Sequence, residues 1–305
     1  MSGEVWALVA GAGFGVFQSL NRRAVIGMDV YLATFLQLLI SAVILAVASL
    51  VSVDPSLLRS ASIGALINFA LAGLLHFFVG WTLLNVSQKR IGAARTSPLT
   101  GTMPLFGAFI AAVTLGEFPD AFAWAAIVLI VGGVYIVSDR SEPAQKSIGS
   151  SRLSLGFVAN RLSGSEFGLA AALCWSISPI FIREGLKELP SPLFGVTVGM
   201  IASVVAYGVP LVWRRRQSGG LPASTDALVF KLAAGVLVGL STWARWIALD
   251  LTAVAPVLAL SQVSVPVVIL LAPLVSGKQR EQVAPALWIG SASIVAGALL
   301  LILRS

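Results

Sequence analysis

Long apolar runs are the feature that most constrains how this chain can fold. Residues 31–53, 62–84 and 254–275 contain no Asp, Glu, Lys or Arg, and each run reaches the roughly 20 residues that a helix needs to cross a bilayer. Charged residues make up only 11% of the chain, against about 25% in an average soluble domain. The pattern excludes a water-soluble globular protein and predicts an all-α, polytopic transmembrane fold.

Polar breaks divide the chain into ten predicted membrane-spanning helices. They are residues 5–21, 31–53, 62–87, 92–115, 121–138, 166–183, 192–213, 226–249, 253–276 and 285–303. Residues 139–165 are polar and lack a sustained apolar period, which indicates a linker. We therefore expect a five-helix unit in residues 1–138 and a second five-helix unit in residues 166–305.

The two predicted units share residues at a nearly constant spacing. Trp81 recurs as Trp243 and Pro104 as Pro266, each after 162 residues, and the pair Ala72-Gly73 recurs at the same distance. Such a spacing is typical of transporters built from internal repeats. Because each unit has an odd number of spans, the two repeats would run through the bilayer in opposite directions. The sequence thus predicts ten helices arranged as two inverted five-helix repeats.

Lysine and arginine are concentrated in one set of alternate loops. That set contains Arg22, Arg23, Lys89, Arg90, the linker cations, Arg214, Arg215, Arg216, Lys278 and Arg280, whereas the opposite set has little beyond Arg59, Arg183, Lys187 and Arg304. Cytoplasmic loops are enriched in these cations, so we expect a multi-pass protein of the cytoplasmic membrane with a cytoplasmic linker and both termini outside. The same rule accounts for the net charge of +7 without a nucleic-acid partner.

A series of short motifs in the first unit resembles a known family. The motifs are Ile91-Gly92-Ala93-Ala94-Arg95, Ser97-Pro98-Leu99, Pro104-Leu105, Leu115-Gly116-Glu117 and Gly132-Gly133-Val134. Their order resembles the EamA-type repeat of the drug/metabolite transporter superfamily. The second unit is similar through Val265-Pro266-Val267, Glu281, Gly290 and Gly297, but has Ser276-Gly277-Lys278 where the family commonly has an apolar-Gly-Glu turn. The resemblance implies export of amino acids, other metabolites or drugs, or exchange of nucleotide sugars, and no residue set selects one of these. It also implies cytoplasmic termini, against the loop charges.

Polar and aromatic side chains inside the predicted spans are candidates for substrate binding, because such groups normally face a bundle interior or a water-filled cavity. The candidates are Gln18, His76, Trp81, Thr100, Trp243, Ser261 and Gln262. Each has a plain structural alternative. Hydroxyls bond back to the preceding helical turn, the tryptophans belong to an interfacial belt, and His76 is a neutral, hydrogen-bonded residue.

Other residues in the spans have predicted mechanical or structural roles. The prolines that interrupt the fourth and ninth spans are candidate hinges, because proline removes a helix hydrogen bond; they are Pro98, Pro104, Pro256 and Pro266. Glycines on the first and eighth spans suit close helix contact. Glu117 and Glu281, at the start of the fifth and tenth spans, are expected to interact with the helix dipole. Arg245 is expected to extend outward to the membrane surface.

The function that fits these features is a secondary carrier that moves a small organic solute, with export ahead of uptake on the resemblance alone. An enzyme is disfavoured, since H-E-x-x-H, G-x-S-x-G and paired carboxylates within a span do not occur. A channel and a structural membrane partner stay open as alternatives. The expected partners are the solute and the bilayer, a homodimer is one open oligomeric state, and neither cofactor nor metal is expected.

Overall fold

The computed structural model describes residues 1–54, 61–115, 121–139, 164–218, 223–252, 254–281 and 283–302. Most of the predicted linker, and Glu117, lie outside these residues. The helices are α1 (Gly3–Ile26), α2 (Val30–Ser52), α3 (Ile63–Gly73), α4 (Trp81–Ile91), α5 (Ala93–Thr100), α6 (Met103–Leu115), α7 (Ala121–Asp139), α8 (Ser165–Glu188), α9 (Pro192–Ser218), α10 (Thr225–Leu251), α11 (Val254–Leu260), α12 (Ser264–Ser276) and α13 (Pro285–Ile302).

Three pairs of helices continue each other, so the described residues form ten rods, one for each predicted span. A π-helical turn, Leu74–Gly80, joins α3 to α4, and a 3-10 turn, Ser261–Val263, joins α11 to α12. In the described part of the chain, six helical stretches are long and apolar enough to cross a membrane, and two shorter ones, Trp124–Gly133 and Pro285–Gly297, are apolar. The predicted all-α, multi-pass membrane fold is confirmed.

The outer surface of the bundle is apolar. Large side chains such as Leu50, Val51, Val209 and Leu274 are each more than 70% exposed, which suits contact with lipid and not with water. The polar side chains within the rods, by contrast, are mostly buried between helices. The fold therefore concentrates its polar chemistry in the interior, where a solute site is expected.

Helix starts follow from local capping. The Asp29 carboxylate accepts from the backbone N–H of Tyr31 at 2.9 Å and of Leu32 at 3.3 Å, and Ser62 caps α3 through the N–H of Ala65. These bonds satisfy donors that the first helical turn leaves without partners. Gly92, at φ 87°, turns the chain sharply between α4 and α5, a backbone conformation that side chains other than glycine rarely adopt.

Two rods break just before matched prolines. The first break is at residues 101–102, between α5 and α6, and the second is the 3-10 turn between α11 and α12. Pro104 and Pro266 each lie about one turn beyond a break, as expected because a proline ring clashes with the carbonyl four residues earlier. Pro98 lies inside α5 and Pro256 near the start of α11. The hinge role of these prolines stays a prediction.

The predicted glycine contacts are confirmed. An added Cβ on Gly11 would lie 2.9 Å from the Ser261 backbone, and one on Gly15 would lie 3.0 Å from the Ser264 carbonyl oxygen. On α10, a Cβ on Gly235 would lie 2.9 Å from Ile40. Glycine thus lets α1 approach the break in the ninth rod and lets α10 approach α2. The first of these close approaches brings α1 against the segment that contains Ser261 and Ser264.

Candidate transport site

A small internal cavity lies where helices from both units meet. It is lined by Phe14, Phe17, Gln18, His76, Trp81, Thr100, Met103, Trp175, Arg245, Ser261 and Ser264. The lining includes α1, the π-helical turn and both broken rods, together with α8 and α10. Its volume is about 20 Å³, which holds a water molecule but not an organic solute. In this conformation the lining side chains therefore fill most of the space.

One wall of the cavity is aromatic and is organised by the π-helical turn. The indole N–H of Trp175 donates to the carbonyl oxygen of His76 at 3.0 Å, and the two rings stack with centroids 5.5 Å apart. Trp81 packs against Phe77 at 5.0 Å and Phe17 at 6.3 Å. A π turn shifts the helical hydrogen bonds, which accounts for a mid-helix carbonyl that accepts from another helix.

The hydroxyls of the cavity mostly satisfy backbone groups. Thr100 donates to the Ser97 carbonyl at 2.8 Å, and Ser261 donates to the Val257 carbonyl at 2.6 Å. Both hydroxyls therefore bond back to the preceding turn of their own helix, as the structural alternative predicts for these two residues. His76 is hydrogen-bonded as well, with its Nδ1 2.7 Å from the Ser178 hydroxyl. The hydroxyl oxygens of Thr100 and Ser261 keep acceptor capacity toward a ligand.

The Arg245 side chain does not lie where the sequence predicts it. The side chain does not extend to the membrane surface but is buried, with 3% exposure, and it lines the cavity. Its only hydrogen-bonding contact in the described residues is from a terminal nitrogen to the Met103 sulfur at 4.0 Å, and its Nε has no partner there. The prediction was wrong because the rotation of α10 about its axis turns this residue inward, against Met103. The distance of a residue from a helix end does not reveal that rotation.

Five of the predicted binding residues line the cavity: Gln18, His76, Trp81, Thr100 and Ser261. Gln262 is buried nearby, but its amide donates to the Leu258 carbonyl one turn back. Trp243 lines a separate apolar crevice between α1 and α10, together with Trp6. The matched tryptophans therefore line different pockets in this conformation, and the binding role of Trp243 stays a prediction.

A chain of buried amides leads from the cavity toward one end of the bundle. Gln88 donates to Gln18 at 3.3 Å, and Asn21 donates to Gln88 and to Asn85 at 2.7 Å each. Lys231, fully buried, donates to Asn21 and, at 2.6 Å, to the Gln37 side-chain oxygen. Sequence reasoning missed Lys231, although a lysine inside a predicted span was a sufficient signal.

The chain of amides ends at a buried ion pair. Nε of Arg22 lies 2.6 Å from Oε1 of Glu281, and their side chains are 10% and 1% exposed. Glu281 also accepts from the backbone N–H of Ala93 at 3.2 Å and of Ala94 at 3.0 Å. The expected interaction with a helix N-terminus is present, but the helix is α5 of the first unit and not α13, the tenth span.

This ion pair lies at what we call the basic end, the end that carries Arg22, Arg23, Lys89 and Arg90. Arg23 pairs there with Asp226, and Lys89 donates to the Met28 carbonyl. Arg22 further donates to the Gln88 carbonyl. The contact thus holds together α1, the end of α4, the start of α5 and the turn that follows α12, so residues of both units meet at this end.

The chain is similar to known proteins in sequence and in fold. The model of the EamA-like transporter family matches residues 1–139. A solved crystal structure, described only as that of a protein, covers 98% of this chain and 99% of its own at 17% identity, with a TM-score of 0.61, and this likeness concerns the fold alone. No curated protein matches the sequence significantly.

Proposed function

We propose that this chain is a secondary carrier that works by alternating access, a proposal supported by the match of residues 1–139 to the EamA-like transporter family, which belongs to the drug/metabolite transporter superfamily. Its cargo is a small organic solute, and export is favoured over uptake. The family match indicates a membrane transporter; the mechanism, direction and cargo are proposed.

The observation that carries this proposal is a cavity too small for an organic solute, with a buried contact between the two units on one side of it. The cavity draws its lining from both units, and the Arg22–Glu281 pair joins them below it. A carrier needs a site that is closed on at least one side at all times, whereas an open channel needs a continuous path. A cavity of about 20 Å³ favours the first, because it must expand to take up a solute.

Helix packing supports two inverted repeats. α1 packs against α10 and α12, and the corresponding helix of the second unit, α8, packs against the third and fourth rods of the first unit. The contacts of α2 with α9 and of α7 with α13 join corresponding helices. Exchanging the two units therefore turns each of these contacts into a contact that is also present, as a two-fold relation between the units requires. Relative motion of such repeats is a known route to alternating access.

The proposed orientation follows the loop charges. The basic end would face the cytoplasm, which places both termini outside, since each unit crosses the membrane an odd number of times. In that orientation the Arg22–Glu281 pair is the cytoplasmic closure and the cavity is closed to the side from which an exporter loads. Protease or biotinylation mapping of tags at the two termini in intact cells tests this orientation directly.

Counterflow in proteoliposomes tests the carrier proposal. Vesicles are preloaded with unlabelled phenylalanine, uridine, glucose, phenylacetate or ethidium, and uptake of the same labelled solute is followed. A carrier gives a transient, saturable accumulation above equilibrium for at least one solute. A channel gives equilibration without overshoot, and a structural protein gives neither, so either result across the panel overturns the proposal. A Trp81→Phe variant, which keeps an aromatic ring in the cavity wall, should reduce flux without reducing membrane abundance.

A further inference from the structure

We propose that the central cavity binds its solute through an anionic group held by Arg245, so that the cargo is a small organic anion, such as a carboxylate, with an apolar body. This inference rests on the proposed carrier function and names the substrate class of the same site.

Arg245 is a buried cation to which the described residues supply no counter-charge. It is 3% exposed, its Nε has no hydrogen-bond partner among the described residues, and its one polar contact is the weak acceptor sulfur of Met103 at 4.0 Å. None of the ion pairs between described residues includes it. Burial of a charge in the membrane interior is costly unless the charge is paired, so an anion in the cavity would be stabilised strongly.

The neighbouring buried cations do not share this arrangement. Arg22 is paired with Glu281, and Lys231 donates to the side-chain oxygens of Asn21 and Gln37. Arg245 alone among these three faces the cavity with an unpaired nitrogen. A planar guanidinium presents its N–H groups as a fork that matches a carboxylate, which makes this side chain suited to an oxyanion.

The rest of the lining determines what else the solute can carry. The described lining residues include no Asp or Glu, so they offer an ammonium group no counter-charge, and Arg245 repels it. Phe14, Phe17, Trp81 and Trp175 supply flat apolar surface, which favours an aromatic or otherwise flat body. The site therefore selects an anion over the matching cation, and an anion without an added ammonium over a zwitterion.

Three probes of similar shape test the inference on the unaltered protein. Phenylacetate, its uncharged amide phenylacetamide, and the cation phenethylamine are titrated against the purified full-length chain by calorimetry. Phenylacetate should bind at least about tenfold more tightly than phenylacetamide, since hydrogen bonds to charged groups are the stronger class, and phenethylamine should show no binding. Equal binding of acid and amide, or tighter binding of the amine, overturns the proposal.

A pair of variants links the preference to Arg245. Arg245→Met keeps an unbranched apolar stem and removes the charge, so the preference for acid over amide should fall to near one. Lys187→Met removes a charge from an exposed pair at a helix end and should leave the preference intact. Should Arg245→Met fail to fold, the three probes on the natural protein still decide. Preference retained in a folded Arg245→Met overturns the assignment.

The two proposals fail in different ways. Saturable counterflow of another solute, with no binding of phenylacetate and no inhibition by it, overturns the anion site and leaves the carrier standing. Binding of phenylacetate at a site that depends on Arg245, with no counterflow of any solute, leaves the site standing and overturns the carrier.

Discussion

Arg22 and Glu281 lie 259 residues apart in the chain, and their side chains meet at 2.6 Å in the buried interface between the two units. The same carboxylate accepts from two N–H groups at the start of α5, and the same guanidinium donates to the Gln88 carbonyl at the end of α4. One ion pair therefore ties four parts of the bundle together below the cavity. Opening of the basic end requires this contact to separate.

Glu281→Gln should weaken that closure. The substitution leaves the Arg22 guanidinium buried without its counter-charge, and loss of one partner from a buried pair typically costs about 3 kcal/mol. We expect a lower thermal midpoint of the purified protein. Cys174 is the one cysteine of the chain, so a Cys174→Ser, Thr100→Cys double variant carries a single thiol, placed in the cavity. In this background, Glu281→Gln should speed labelling of that thiol by a methanethiosulfonate reagent.

Asp226→Asn is the matched control. It breaks the Arg23–Asp226 pair at the same end, but those side chains are 39% and 54% exposed, and exposed pairs contribute about 0–1 kcal/mol. Thermal midpoint and labelling rate should hardly change. Equal effects of the two substitutions would show that the buried pair does not close the site.

Asn21→Leu should destabilise the bundle through Lys231. Asn21 accepts from Lys231 and donates to Asn85 and Gln88, so its loss leaves a buried ammonium and two amide oxygens short of partners. We expect about 3 kcal/mol or more from a broken buried network. Lys231→Met removes the ammonium group that loses a partner in Asn21→Leu. The double variant should therefore be destabilised less than the sum of the two single effects, by about 1 kcal/mol or more.

Unfolding titrations in detergent give the four free energies of this cycle. Strict additivity would mean that Lys231 and Asn21 act independently, against the network that the hydrogen bonds describe. Asp29→Ala is a useful comparison, because it removes the cap of α2 outside the network and should add to either single variant without coupling.

The sequence predicts the rods well and the cavity in part, for physical reasons. Length and apolarity alone specify a span, so every rod has its predicted counterpart. Gln18 and His76 are found in the cavity because a polar group in an apolar run is driven toward the interior. Trp175 carries no such signal, since an indole in an apolar run is equally suited to lipid contact, packing or a site.

Helix rotation explains the remaining differences. Trp243 occupies the position that matches Trp81, but spacing along the chain does not fix which face of α10 meets the centre, and Trp243 lines the crevice beside α1. Arg245, two residues further, faces the cavity. The partners of Lys231 and Glu281 come from the other unit, so their roles emerge only from the packing of one unit on the other.

Gly15→Val should separate α1 from the ninth rod. A Cβ at Gly15 would lie 2.5 Å from Val267 and 3.0 Å from the Ser264 carbonyl, so the two helices must shift apart, and overpacking costs about 1–3 kcal/mol. The thermal midpoint and the flux should both fall. Gly208→Ala is the control: its Cβ meets nothing within 4 Å, and glycine to alanine in a helix is neutral or stabilising. A tolerated Gly15→Val would contradict the close packing.

Pro104→Ala and Pro266→Ala test whether the matched breaks act as hinges. Each proline lies one turn beyond a break, and alanine restores the N–H that a continuous helix uses. If the breaks bend during transport, a straightened rod should slow exchange several-fold while the folded protein reaches the membrane in normal amounts. Pro273→Ala is the control, because Pro273 lies within the unbroken part of α12, and it should leave the exchange rate nearly unchanged. If all three variants show the same counterflow rate, the breaks only shape the cavity. If only Pro104→Ala and Pro266→Ala slow exchange, the paired breaks are the moving joints, because the same substitution elsewhere in the ninth rod has no such effect.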